Sequence, residues 1–170
     1  MGPMVRPFWV DRGLTLTDIA FVTTAFGLGA TVVGALVGGI LTSRIGVFRA
    51  LLVFGLLQAV SNLGYATAAW AEAGRPGIYA ASLVESFTGG LGTAAFLSFL
   101  MNVCDKDQAA TQYALLSAVF NLSGTLVGSV SGLGAERLGY APYFALTFLL
   151  ALPAYAFMPW VRGWIRERPA

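Results

Sequence analysis

Histidine is absent from the 170 residues, and cysteine occurs once, at Cys104. These absences exclude a disulfide framework, a Cys/His zinc site and histidine-based general catalysis. Charge is scarce too: Asp, Glu, Lys and Arg make up 11% of the chain, about half the share usual in a soluble domain. The net charge of +2 is spread around short breaks, which offers no surface for nucleic acid. No paired-Asp, Ser/His or His/Glu arrangement of the usual catalytic kind is present, so an enzyme is not expected, nor is a metal or cofactor. The longest polar stretches are residues 1–15 and 162–170, too short for a separate soluble module. The first residues lack a basic n-region, an apolar h-region and a small-residue cleavage site, so the apolar segment that follows is expected to be retained.

Hydrophobic residues, by contrast, make up 57% of the chain and fall into five long runs. Run A extends from Leu16 to Thr42, B from Phe48 to Ala71, C from Gly77 to Val103, D from Gln108 to Leu133 and E from Pro142 to Val161. Each reaches the ~20 residues that a helix needs to cross ~30 Å of hydrocarbon. Backbone in lipid must satisfy its own hydrogen bonds, which favours helices. The expected fold class is therefore all-α: a polytopic membrane protein with five transmembrane helices forming an incomplete six-helix half. Residues 16–163 form the bundle, 1–15 are a remnant of a preceding helix and loop, and 164–170 are a tail.

Two breaks share a pattern. Between A and B the chain reads Gly39-Ile-Leu-Thr-Ser43-Arg44-Ile-Gly46, and between D and E it reads Gly132-Leu-Gly-Ala-Glu-Arg137-Leu-Gly139. Both are Gly-x4-Arg-x-Gly. They lie three helices apart, an odd number, which places them on opposite membrane faces, as inverted repeats of three helices require. If A pairs with D and B with E, then C pairs with a helix before A, of which residues 2–10 cover only ~15 Å. Arg44, Arg49, Lys106, Arg162, Arg166 and Arg168 fall on one side, against Arg6, Arg12, Arg75 and Arg137 on the other. The positive-inside rule makes the first side, with the C-terminus, cytoplasmic.

Run A carries Gly27, Ala30, Gly34 and Gly38, and run D carries Ser117, Asn121, Gly124, Gly128 and Gly132, each set on one helical face. Small faces allow backbones to approach closely and, in a rocking bundle, to slide. Gly89, Gly90 and Gly92 sit in mid-run C and read as close packing or a flexible point, since no strand precedes them to make a cofactor loop. Glu85 lies about a third of the way into run C, where an ionised carboxylate costs on the order of 3 kcal/mol. Three roles fit it: a protonation site, a direct substrate contact, or a structural acid bonded to neighbours such as Ser86. Gln58, Asn62, Gln112, Tyr113, Ser117 and Asn121 could hydrogen-bond a polar solute in a central cavity or bond between helices. Asp18, near the end of run A, reads as a cap.

Three strings carry a resemblance: Gly38-Gly39-Ile-Leu-x-x-Arg44-x-x-x-Phe48-Arg49-Ala-Leu-Leu, Glu85-x4-Gly90-x-Gly92-Thr-Ala-Ala-Phe96 and Ala110-Thr-Gln112-Tyr-Ala-Leu-Leu-Ser117. In order and spacing they resemble the C-terminal half of the AmpG muropeptide permeases, within the major facilitator superfamily. The resemblance implies proton-coupled import of anhydro-muropeptides across the bacterial inner membrane. It also implies a gating loop at Gly39, Ser43, Arg44, Gly46 and Arg49, with Ser43 standing where the superfamily usually has an acid. Run D has Gly124 where the family is expected to have a basic residue. A complete facilitator has two six-helix halves with the site between them, so the lipid bilayer, a small-molecule substrate and either a separately encoded N-terminal half or a second copy are the partners implied. The competing expectation is a truncated, non-transporting membrane protein that packs with other helices.

Overall fold

The computed structural model describes residues 5–71 and 74–165, except for the side chains of Thr23 and Val130. Its described residues are helical with short turns. A two-turn helix, α1 (Val5–Asp11), precedes five long ones: α2 (Leu16–Ile45), α3 (Val47–Trp70), α4 (Arg75–Val103), α5 (Ala109–Leu138) and α6 (Tyr140–Arg162). The helices α2 to α6 realise runs A to E, and each is long and apolar enough to cross a membrane. α2 is not uniform: Val22–Gly27 is wound as a π-helix between two α-helical parts. Nothing in the apolar pattern of run A announces that segment.

The helix ends lie beyond the apolar runs because single glycines make the turns. Gly46 (φ +87°, ψ 152°) ends α2 and begins α3, and Gly139 (φ +78°, ψ 164°) does the same between α5 and α6. This backbone conformation is one that side chains resist and glycine tolerates. The hydrogen bonds match as well. Gly46 N–H donates to Thr42 O at 3.0 Å and Gly139 N–H to Ala135 O at 2.9 Å, while the two glycine carbonyls accept from Ala50 N–H and Tyr143 N–H. The two Gly-x4-Arg-x-Gly copies thus fold alike.

They also lie at opposite ends of the bundle. α3 and α6 pack antiparallel, with the Arg162 guanidinium over the Phe48 ring at 5.6 Å and Tyr65 against Phe144 at 5.4 Å between ring centres. Gly46 is therefore at the Arg162 end and Gly139 at the Tyr65 end, as an inverted repeat demands.

The tightest contact is between α2 and α4, which run parallel: Thr31 meets Ser86, Gly34 meets Phe87 and Gly90, and Gly38 meets Leu91 and Ala94. A Cβ on Gly34 would overlap the Phe87 carbonyl oxygen, and one on Gly90 would overlap that of Thr31. One on Gly38 would stand 2.8 Å from the Leu91 Cα. The small residues thus permit backbone approach that no larger residue would allow.

At the end near Tyr65, α1 buries Phe8 and Trp9 completely, in a cluster with Tyr65, Ile78 and Phe144. Arg12 donates to the Ala69 carbonyl at 2.6 Å, and the Tyr140 hydroxyl donates to the Asp11 carboxylate. Asp18 closes a capping box with Thr15 at the start of α2 and pairs with Arg75 at 3.3 Å, which fixes the start of α4 beside it. A second cluster at the other end joins Ala50 and Phe54 of α3 to Leu91 and Ala95 of α4. α5 and α6 are the least covered: 6% of the apolar stretch of each segment is buried, against 39% in α4. α5 makes few contacts. It meets its neighbours through Phe120 on Phe96, 4.5 Å between ring centres, and through Gly134 against the Tyr143 ring.

Candidate functional site

α3 and α4 pack antiparallel, and their register brings polar side chains together. The Gln58 side-chain oxygen faces Gly89, where a Cβ would stand 3.3 Å away, and Tyr65 stands beside Ser82. That register puts Glu85, between Ser82 and Gly89, at the level of Ser61 and Asn62. Ser82, Glu85, Ser86 and Gly89 follow the i, i+3, i+4, i+7 spacing of one helical face. Glu85 is 3% exposed and Ser86 5%, Ser82 1% and Tyr65 not at all. Glu85 lies one turn beyond Ser82 on the α4 face that meets α3, and Tyr65 stands on the facing side of α3.

The hydroxyls on these helices divide into two kinds. Ser61 donates to the Gln58 carbonyl at 2.7 Å, Thr88 to that of Val84 at 2.8 Å and Ser98 to that of Ala94 at 2.8 Å, so each is satisfied by its own helix. The Tyr65 and Ser82 hydroxyls and the Gln58 side-chain oxygen are buried without a hydrogen-bond partner among the described residues. Tyr65 and Ser82 are adjacent but outside hydrogen-bonding geometry. Buried polar atoms are nearly always bonded, so such a cluster marks a place where a group, a solvent molecule or a rearrangement completes the bonding.

Residues expected from run D are not gathered here. The Gln112 side-chain oxygen accepts from Asp105 N–H at 2.7 Å and so caps the turn between α4 and α5. Asn121 is exposed and donates to the Ser117 carbonyl at 2.8 Å, along its own helix. Tyr113 and Ser117 are half-buried, and Gly124 has open space where a Cβ would stand. Gly128 and Gly132 are half-buried. The polar set therefore splits, with Gln58, Asn62, Glu85 and Ser86 on the α3–α4 pair and Gln112, Tyr113, Ser117 and Asn121 on α5.

At the loop, Arg44 and Arg49 are exposed around the Gly46 turn. The Ser43 hydroxyl donates to the Ile40 carbonyl at 2.7 Å, and Gly39 is exposed with open space beside it. Gly27 is buried and its carbonyl accepts from the Thr31 hydroxyl at 2.8 Å. Gly90 is packed whereas Gly92 meets nothing within 4 Å, so the two glycines of that string differ in role.

Two open grooves flank α4. One of about 670 Å³ lies along α3 and α4, and one of about 510 Å³ lies along α2 and α4; Val84 lines both. Their walls are mainly aliphatic and aromatic, which suits hydrocarbon better than a polar solute.

Sequence reasoning missed Tyr65 and Ser82. A tyrosine near the end of an apolar run reads as an interface anchor. The available signal was spacing: Gln58, Asn62 and Tyr65 share a face, as do Ser82 and Glu85.

The sequence model of the Major Facilitator Superfamily matches residues 1–170. The anhydromuropeptide permease of Escherichia coli (strain K12) is 40% identical over 150 residues, which cover 88% of this chain and 30% of that protein. "Putative transporter AmpG 4" of Rickettsia conorii is 34% identical over 157 residues, covering 91% of this chain and 37% of its own length. "Putative transporter AmpG 2" of Rickettsia prowazekii is 31% identical over 152 residues, covering 89% and 37%. The chain spans about a third of the length of these curated relatives. Matched by the family along its whole length, and built of five apolar helices with an inverted pair of glycine turns, this chain belongs to the Major Facilitator Superfamily.

Proposed function

We propose that this chain is the C-terminal portion of a secondary-active transporter that imports anhydro-muropeptides, or similar small polar solutes, by alternating access coupled to protons. The observation that carries this reading is the 40% identity over 150 residues with a protein named for that substrate. Glu85 supports the coupling: a carboxyl held inside a membrane-spanning helix, 3% exposed, is inexpensive when protonated and becomes a switch when water reaches it. In this reading Glu85, Ser86, Gln58 and Asn62 belong to the proton or substrate path. Gln112, Tyr113, Ser117 and Asn121 join it once α5 is packed against a further helix.

The protein lies in the bacterial inner membrane, with the Arg44 loop and the C-terminus on the cytoplasmic side, where their positive charge is favoured. The loop Gly39, Ser43, Arg44, Gly46 and Arg49 gates the inward-facing state. Of the segments expected as a helix remnant with its loop (1–15) and as a tail (164–170), residues 1–4 and 166–170 lie outside the described residues. The facing wall of the cavity comes from helices beyond these five spans, supplied by an N-terminal half of the transporter or by a second copy of this chain.

Uptake of a radiolabelled anhydro-muropeptide is the test, in cells lacking their own permease and expressing this chain with and without an AmpG-type N-terminal half. Uptake that requires this chain and collapses with a protonophore is the expected result. No uptake in either configuration would overturn the reading in favour of a membrane protein that only packs with other helices.

A further inference from the structure

We propose that Tyr65 and Ser82 are positioning residues for the Glu85 proton, a pair of hydroxyls that serve the carboxyl in both of its protonation states. The inference rests on the reading of Glu85 as a proton site and adds the groups that tune it.

Three observations converge. Tyr65, Ser82 and Glu85 are all at least 97% buried, on facing sides of the antiparallel α3–α4 pair. The Tyr65 and Ser82 hydroxyls have no partner among the described residues, whereas Ser61, Thr88 and Ser98 on the same two helices all bond back to their own carbonyls. Ser82 is spaced like those three on a helix, with the Ile78 carbonyl one turn back, yet it is left open. Thr42 on α2 is also left without a partner, but on the α3–α4 pair the register of Gly64 on Ala81 and Gln58 on Gly89 sets Tyr65 at the level of Ser82, one turn before Glu85 on the same face.

A phenol or an aliphatic hydroxyl both donates and accepts. With Glu85 ionised, Tyr65 and Ser82 can donate to the carboxylate; with Glu85 protonated, the carboxyl O–H can donate to either oxygen. No covalent bond other than the O–H of the carboxyl is made or broken, and the proton comes from and returns to water. Rotation of the hydroxyls and a small shift of the carboxyl exchange one arrangement for the other. The ring of Tyr65 stays fixed against Phe8 and Phe144, centres 6.5 and 5.4 Å away, so the phenol is aimed while its hydrogen is free to turn.

The other charged residues of these helices lie toward their ends. Among the described residues, α3 adds only Arg49, near its opposite end, and α2 carries Asp18 and Arg44 at its two ends. α5 has Tyr113 in its first turns and Glu136 and Arg137 in its last. On α4 itself Arg75 and Tyr79 lie toward the start, with Arg75 engaged by Asp18. α1 contributes Arg6 and Asp11, the latter held by Tyr140; Arg12, in the turn after it, bonds the Ala69 carbonyl, and α6 carries Tyr140, Tyr143, Tyr155 and Arg162.

Infrared titration of the full chain in lipid nanodiscs tests the proposal. Glu85→Gln should delete a protonated-carboxyl band that appears as pH falls. Tyr65→Phe should move that band to higher frequency and let the carboxyl keep its proton at about tenfold lower proton concentration, because the carboxylate has lost a donor. Ser82→Ala should shift both in the same direction by less, and it carries the test alone if the phenylalanine variant fails to fold. An unchanged band and midpoint in the folded variants would overturn the proposal while leaving Glu85 a proton site. A band that survives Glu85→Gln, or never titrates, would overturn the proton reading of Glu85 itself and this inference with it.

Discussion

α2 and α5 are repeat mates, each ending in the same Gly-x4-Arg-x-Gly turn and each carrying a face of small residues, but they occupy opposite conditions. On α2 the face is closed: Gly34 and Gly38 lie against the α4 backbone so tightly that a Cβ would collide. On α5 the equivalent face is open at Gly124, with nothing within 4 Å of a Cβ there, while Gly128 and Gly132 are half-buried. A small-residue stripe therefore encodes how closely a partner can approach and leaves the partner's identity to the rest of the molecule. Pseudo-symmetry supplies that identity. α2 docks on α4, so α5 should dock in the same manner on the helix that the repeat pairs with α4.

The strongest way to break this comparison is to fill both faces. Gly34→Leu should remove the α2–α4 contact, lowering thermal stability in detergent by more than the ~1–3 kcal/mol typical of overpacking, because the obstacle is backbone. Gly124→Leu in the isolated chain should change stability by less than about 0.5 kcal/mol, as surface substitutions do. Equal losses at the two positions would deny that the faces differ.

The next comparison is between the turns. Gly46→Ala and Gly139→Ala each force a side chain into a conformation that costs about 1–3 kcal/mol, and since the two turns share backbone angles and hydrogen bonds, their losses should be equal within error. Denaturant or thermal melts of both variants would show it, and a loss at one turn alone would contradict the structural repeat. The smallest effect is expected at Gln112. Gln112→Ala removes the acceptor for Asp105 N–H and should cost about 1 kcal/mol or less in the same melts. Abolition of transport with no loss of stability would instead put Gln112 on the substrate path.

Much of the fold was legible because the bilayer imposes it. Runs of ~20 apolar residues, broken at Arg44, Arg75, Lys106 and Arg137, leave little choice but spanning helices, and the two glycine turns could be read directly from spacing. The helix ends were misplaced by a few residues, since the apolar run stops at Thr42 or Leu133 while the backbone continues to glycines that end it at Gly46 and Gly139. Individual polar positions were harder. Glu85 stands out by charge alone, but Tyr65 and Ser82 become notable only when the α3–α4 register is known, and register depends on contacts between distant segments. The π-helical Val22–Gly27 was likewise hidden, because the apolar pattern is nearly indifferent to one extra residue per turn.

The central claim is that two triplets of spans oppose each other across the membrane. Cysteine labelling tests it most directly: in a Cys104→Ser background, Ser43→Cys and Glu136→Cys would each be probed with a membrane-impermeant maleimide in intact spheroplasts and again after lysis. Labelling at position 136 in intact spheroplasts, and at position 43 only after lysis, is the predicted result. Labelling of both from the same side would contradict the account.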